Sequence, residues 1–463
     1  MEKEKLYSYF LLCCLMLLPL IFDMGFEFIV ALCALDILFF LQYAFVYSFI
    51  KKSNFLAPTF WAMSGYILFG QFPIVLNHIL DVYIPTQHSS QALIKMGILI
   101  MVGYRVLIAG ILIILPKTTD IKYGSLPDIS LFYPFVLIIV GTLTRIFIRN
   151  NVFSISDIEF SWYHTFLLLC TPISVGLLCS VVGEKVKQGL SLSSVQKKII
   201  FLLLLIATLN AMIDVSRKDA GMILFYIIIF VFFKVVPQYP VLYLNFAKQI
   251  KFGILILLLG FILMGMRAYS WSRELNTDLS TELSISFEER RANDMTDILA
   301  FVIETTPSKY PFLYGRTLGS LLPIPRVLYP GRSPAHSYIV GLQYRGIDQV
   351  EFDPIGYREN PLSISAHMLG EGYANFGIPG ALAFEFIFGI LVAIYEKKLN
   401  NGELIVLRII YPVILFFILT QQRGDLAMMN TGWIMLAGII CLLLFLISKD
   451  YRKNFFQVNK LLC

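Results

Sequence analysis

Residues 91–115 read QALIKMGILIMVGYRVLIAGILIIL, with Lys95 and Arg105 the only charged positions. As a helix rising about 1.5 Å per residue, such a run extends about 37 Å, enough to cross a hydrocarbon core about 30 Å thick. In lipid a helix also satisfies every backbone N–H and C=O within the segment, which an isolated strand or loop does not do. The stretch therefore predicts a membrane-spanning helix, and the chain around it is built in the same way. It is 57% hydrophobic and 15% charged over 463 residues, with a mean hydropathy of +0.74. A soluble core does not hide that much apolar surface.

Similar apolar runs lie near 7–22, 25–50, 56–76, 130–149, 161–182, 197–214, 219–236, 252–269, 377–395, 404–421 and 431–447. The predicted fold class is thus all-α, a polytopic helical membrane protein with about twelve transmembrane helices. The first run has no small-residue cleavage site after it and is read as a retained span. Lysines recur in every second connection: Lys3 and Lys5, Lys51 and Lys52, Lys117 and Lys122, Lys185 to Lys198, Lys248 and Lys251, Lys397 and Lys398, Lys449 to Lys453. By the positive-inside rule both termini are expected in the cytoplasm and the hydrophilic stretch 270–376 outside. The net charge of +6 is mostly this topogenic lysine and points to no nucleic-acid partner.

Three regions follow: an N-terminal bundle of about nine spans over 1–269, the extracytoplasmic loop 270–376, and three further spans with a cytoplasmic tail over 377–463. No internal repeat is visible, which disfavours a transporter built from two related halves. The loop is rich in Phe, Tyr, Leu and Ile and so is expected to be ordered. Ser286 and Glu289 form a capping box, and Ala292, Met295, Leu299 and Val302 recur at helical spacing until Pro307. The pattern predicts an amphipathic helix over 286–306, either a packing helix of an outer subdomain or one lying on the membrane surface.

Beyond it lie a Pro- and Arg-rich run, Gly319 to His336, and the stretch Gly370-Glu-Gly-Tyr-Ala-Asn-Phe-Gly-Ile-Pro-Gly380. In the second, four glycines and a proline let backbone, acid and amide approach a ligand closely, or simply make a capped helix start with a tight turn. Outer-side arginines run against the topogenic bias. Arg217, Arg326, Arg332, Arg358 and Arg423 carry guanidinium forks suited to phosphate, although pairing with loop carboxylates is the plainer use of any one of them. His336, His367 and Glu371 are candidate general bases, whereas His78 and His88 read as solvated loop residues. Asp36 and Arg105 are charges inside apolar helices and are expected to face the bundle interior, with no partner evident for either. Cys13, Cys14, Cys33, Cys170, Cys179 and Cys441 fall in spans, and there is no CxxC, Walker, GxGxxG, HExxH or GxSxG pattern. No metal site and no cofactor are expected.

The run Leu318-Gly-Ser-Leu-Leu-Pro-Ile-Pro-Arg326 with Pro330 and Arg332, the Gly370–Gly380 stretch, and outer Arg217 and Arg423 resemble the O-antigen polymerase, or oligosaccharide repeat unit polymerase, family of bacterial membranes. The resemblance covers the whole topology. It implies polymerisation of undecaprenyl-pyrophosphate-linked oligosaccharide repeat units into O-antigen or capsular polysaccharide on the outer face of the cytoplasmic membrane, without a metal. The partners implied are the lipid-linked oligosaccharide, membrane lipid and a polysaccharide chain-length regulator. Arg217, Arg326, Arg332, Arg358 and Arg423 would neutralise the leaving pyrophosphate. His336, His367 or Glu371 would assist the acceptor hydroxyl, while Tyr373 and Asn375 would contact sugar. The alternatives are an O-antigen ligase handing the chain to lipid A core, a flippase of the same lipid-linked sugar, and a membrane acyltransferase.

Overall fold

The computed structural model of the chain describes residues 25–42, 57–79, 88–114, 131–149, 170–171, 173–178, 193–213, 258, 295–321, 336–344, 346, 366–400 and 411–422. Among these residues all regular structure is helical and there is no strand. Among the described residues four helices are long and apolar enough to cross a membrane: Gly25–Gln42, Pro58–Leu76, Ser90–Ile114 and His367–Leu399. In chain order the elements are α1 (Gly25–Gln42), α2 (Pro58–Tyr66), a π turn (Ile67–Gln71), α3 (Phe72–Ile79), α4 (Ser90–Ile114), α5 (Phe132–Arg149), α6 (Ser194–Ile213), α7 (Met295–Thr305), α8 (His336–Tyr344), α9 (His367–Asn400) and α10 (Tyr411–Gln421). A 3-10 turn, Arg316–Leu321, lies between α7 and α8.

The chain forms two compact units. One contains residues 1–120, 285–398 and 417–431. Its apolar helices approach closely through small residues, as lipid offers no hydrophobic drive to hold helices together. A Cβ at Gly110 of α4 would run into the Phe386 carbonyl of α9, and one at Gly389 of α9 into the Leu107 carbonyl of α4. At the start of α2, Pro58 lacks an N–H, and the Thr59 N–H and hydroxyl both donate to Glu396 Oε2 at 3.0 and 2.6 Å. That carboxylate sits where the positive end of the helix dipole favours it.

A small helical layer completes this unit. Ile298 and Val302 of α7, Leu313, Ile339 and Val340 of α8, Ala366 and Ala374 form its buried core, with Phe301, Tyr344 and Tyr373 packed against it. Asp297 lies in the first turn of α7, and the helix ends two residues before Pro307, so α7 serves as a packing helix of the layer. The expected helix start at 286–294 lies outside the described residues.

α9 is two helices joined at Phe376–Gly377, whose backbone leaves the helical region. Gly377, at φ +67° and ψ −155°, occupies a conformation that a side chain would oppose. The reversal is tight enough that Gly372 lies against Gly380 and Ala381, although positions eight apart in a straight helix are about 12 Å apart. The apolar run expected from 377 is thus the second arm, and the first arm, 367–375, belongs to the layer.

The other unit contains residues 121–284, 399–416 and 432–463. In it α5 packs against α6, Ser174 Oγ donates to the Pro134 carbonyl at 2.6 Å, and an apolar cavity of about 180 Å³ is lined by Phe135, Ile138, Ile139, Thr142, Leu143, Leu203 and Ile206.

Candidate functional site

The Gly370–Gly380 stretch folds into a hydrogen-bonded knot. Thr317 Oγ1 donates to Glu371 Oε1 at 3.1 Å and accepts from Asn375 Nδ2 at 2.8 Å. Asn375 Nδ2 also donates to the Glu371 carbonyl, while Asn375 Oδ1 accepts from the Gly315 N–H at 3.0 Å. The N–H groups of Leu313 and Tyr314 donate to the carbonyls of Ala374 and Asn375. The segment 313–315 therefore satisfies carbonyls that the end of the first arm would leave orphaned.

Of the residues read from sequence, the structure brings Glu371 and Asn375 together and packs Tyr373 beside them, its ring 6.5 Å from that of Phe312. His336, in the first turn of α8, is 1% exposed, His367 2% and Glu371 1%, so all three candidate bases are walled off from a substrate in this conformation. Arg217, Arg326, Arg332, Arg358 and Arg423 lie outside the described residues.

His367 opens α9 with a left-handed φ of +57°, and its Nδ1 accepts from the Leu369 N–H at 3.2 Å. Its ring meets Tyr66 edge-on, with centroids 5.2 Å apart. Gly70, in the π turn, allows this approach: a Cβ there would lie 3.3 Å from His367 Nε2.

His88, expected from sequence to be a solvated loop residue, has a side chain only 5% exposed and is held between two carboxylates of α7. Its Nε2 lies 3.0 Å from Asp297 Oδ1 and its Nδ1 2.9 Å from Glu304 Oε2. Facing two ionised carboxylates, which only accept, both ring nitrogens would donate, an arrangement that favours the imidazolium. The hydrogen bond to Asp297 holds it charged above the ordinary histidine value of 6.5; burial opposes this and Glu304 reinforces it. Burial acts to raise Glu304, but hydrogen bonds from His88 and the Ser89 N–H outweigh it and lower the carboxyl below its ordinary 4.5. The one available signal was two acids seven apart on one face of α7, opposite a histidine at the head of a span.

These residues border an open groove of about 460 Å³ lined by His88, Phe301, Glu304, Thr305 and Tyr344. Phe301 and Tyr344 meet edge-to-face with centroids 5.2 Å apart, and the Glu304 side chain is 32% exposed. The groove thus offers aromatic surface, a hydroxyl and a carboxylate held by an imidazolium.

Sequence reasoning named no partner for Asp36 and Arg105, yet they form a two-pronged pair at 2.8 and 2.9 Å, joined by Gln71 Nε2 donating to Asp36 Oδ2. Glu385, which sequence reasoning did not single out, is fully buried in the second arm of α9 and accepts from Gln422 Nε2 at 2.9 Å. No group of three or more His, Cys, Asp or Glu arranged to hold a metal ion occurs among the described residues. In comparisons with known proteins, no family model, no curated protein and no solved structure matches the chain.

Proposed function

We propose that this membrane-embedded chain is a glycosyltransferase that polymerises undecaprenyl-pyrophosphate-linked oligosaccharide repeat units on the outer face of the cytoplasmic membrane. The observation that supports this reading most is the groove of His88, Phe301, Glu304, Thr305 and Tyr344. Sugar rings present apolar faces to aromatic side chains and hydroxyls to carboxylates, and the groove sets both side by side. Glu304, whose carboxylate has open surface where His336, His367 and Glu371 are walled off, is the candidate base within reach of the acceptor hydroxyl in this conformation. The hydroxyl oxygen attacks the anomeric carbon of the growing chain, the bond to the lipid pyrophosphate breaks, and the hydroxyl proton passes to the base. The arginine pool named above would stabilise the departing pyrophosphate.

The test is complementation of a deletion strain, with surface polysaccharide resolved by gel. Wild type restores long chains, whereas Glu304→Gln leaves core or carrier bearing one repeat unit, with polymer yield down about 100-fold or more. Full polymer from Glu304→Gln would remove Glu304 from the chemistry, and full polymer from the deletion strain would remove the polymerase assignment. Long chains accumulating on the carrier in the deletion strain would identify a ligase instead. The half-buried Asp36–Arg105 pair and the buried Glu385 favour a second reading, a flippase with polar groups inside the bundle. Under that reading the deletion strain retains single lipid-linked repeats on the cytoplasmic face.

A further inference from the structure

The reversal of α9 and the turn clamped to it carry apolar side chains on their outside. Tyr314 is 75% exposed, Phe376 44% and Ile378 55%, although the layer beside them has a buried core of its own. The two turns are bound together. Leu313 and Tyr314 donate their N–H groups to the Ala374 and Asn375 carbonyls at 2.9 and 3.1 Å, and Gly315 donates its own to Asn375 Oδ1 at 3.0 Å. Phe376 closes over Gly315, where a Cβ would lie 3.2 Å from the Phe376 Cζ, and the rings of Phe312 and Tyr314 meet with centroids 6.0 Å apart. Tyr314 has a left-handed φ of +45°, a conformation that a bulky residue adopts only where its surroundings impose it. A clamped turn that holds backbone strain while presenting a tyrosine outward points to a use for the exposed ring.

The helix that follows locates these side chains. On its second arm the exposed positions Pro379, Ala383, Ile387 and Leu391 recur every four residues, one stripe along a helix of about 3.6 residues per turn. In a helix that spans a membrane, the solvent such a stripe meets is hydrocarbon. Exposed Lys397 and Lys398 stand in the last turn of the arm. From Ile378 to Lys397 the arm rises about 28 Å at about 1.5 Å per residue, against about 30 Å for a hydrocarbon core. With the two ammonium groups at one headgroup level, the other level falls at Phe376–Ile378. Tyrosine collects at that depth because its ring is apolar and its hydroxyl is wet. Arg316, exposed and bonded through its N–H to the Leu313 carbonyl of the same turn, adds a guanidinium, for which lipid phosphates are natural partners.

We infer that Phe312, Tyr314, Phe376 and Ile378, with Arg316, form an interfacial anchor that seats the helical layer in the headgroup region of the bilayer, with phospholipid as its occupant. The anchor is separate from the groove and stands or falls independently of the sugar chemistry. A second copy of the chain would also cover exposed rings, but it would not account for their register with the apolar stripe and the two lysines.

The experiment is fluorescence of the full-length chain in phospholipid vesicles, with Tyr314→Trp as probe and the wild-type signal subtracted to remove the native tryptophans. The added emission should be blue-shifted from that of tryptophan in water. Lipids brominated next to the headgroup should quench it more than lipids brominated near the chain end, and aqueous iodide should quench it little. Should Tyr314→Trp fail to fold, Phe376→Trp is a second aromatic exchange with the same expectation. Adding Ile378→Ser and Arg316→Glu to either probe should move it toward water, with loss of bromolipid quenching and gain of iodide quenching; an unchanged pattern would overturn the anchor. Full iodide quenching of the single-probe chain would place the tip in solvent, stronger quenching from the chain end would place it in the hydrocarbon, and resistance to bromolipid and iodide alike would place protein over it. Each of these three results overturns the assignment to the headgroup region.

Discussion

His88 shows how one side chain acquires a role through its neighbours. Its contacts with Asp297 and Glu304 tie the head of α4 to α7, and they depend on pH with a definite sign. The histidine, held above 6.5, contributes stability that is complete below 6.5 and lost as pH rises through its raised value. Glu304, held below 4.5, contributes stability that is present above 4.5 and lost as pH falls through its lowered value. Protection of the α7 amides, measured relative to the intrinsic exchange rate at each pH, should therefore be greatest between those limits, and His88→Phe should abolish its fall on the alkaline side. An alkaline limb unchanged in His88→Phe would assign the pH dependence elsewhere. At the knot, Asn375→Ala removes the side-chain acceptor of the Gly315 N–H and one of the hydrogen bonds of Thr317 Oγ1 inside the layer. It should cost about 1–3 kcal/mol in the unfolding transition measured in detergent, the penalty for buried groups left unsatisfied.

Among the elements, α9 carries the most information. Its first arm bears Glu371, Tyr373 and Asn375, its second bears Glu385 and Glu396, and Gly377 joins them. Gly377→Ala should cost about 1–3 kcal/mol by forcing a side chain into a backbone region that disfavours it. The loss should appear as faster proteolysis between 313 and 375 in vesicle-embedded protein, and unchanged proteolysis would place the strain elsewhere. Much of this element was legible beforehand: the clustered glycines and Pro379 announced a turn, and the apolar run from 377 announced a helix. The fold-back of the first arm was not, because the close approach of Gly372 to Gly380 and Ala381 is a tertiary contact with no periodic signature. Nor was the π turn at Ile67–Gln71, which aims Gln71 at Asp36 and has no composition of its own.

For the molecule as a whole, the Asp36–Arg105 pair joins two spans that are distant in sequence. Removing one partner should be far worse than removing both. Asp36→Asn, which leaves Arg105 without its counter-charge, should lower stability by about 3–5 kcal/mol, while Asp36→Leu with Arg105→Leu should recover most of it. Equal losses in the single and double variants would mean that the pair does not form in the membrane.

Composition and run length alone determined that the chain is helical and belongs in a membrane, because both follow from the cost of exposing backbone polar groups and charges to hydrocarbon. The same logic picked out Asp36 and Arg105 as interior and the Gly370–Gly380 stretch as special. Pairings were decided only by tertiary structure: His88 with two carboxylates of α7, Asp36 with Arg105, Glu385 with Gln422 and across from His367. A hydrogen bond or ion pair forms over about 3 Å, a distance set by how helices stack, whereas one sequence specifies only which groups are available to meet.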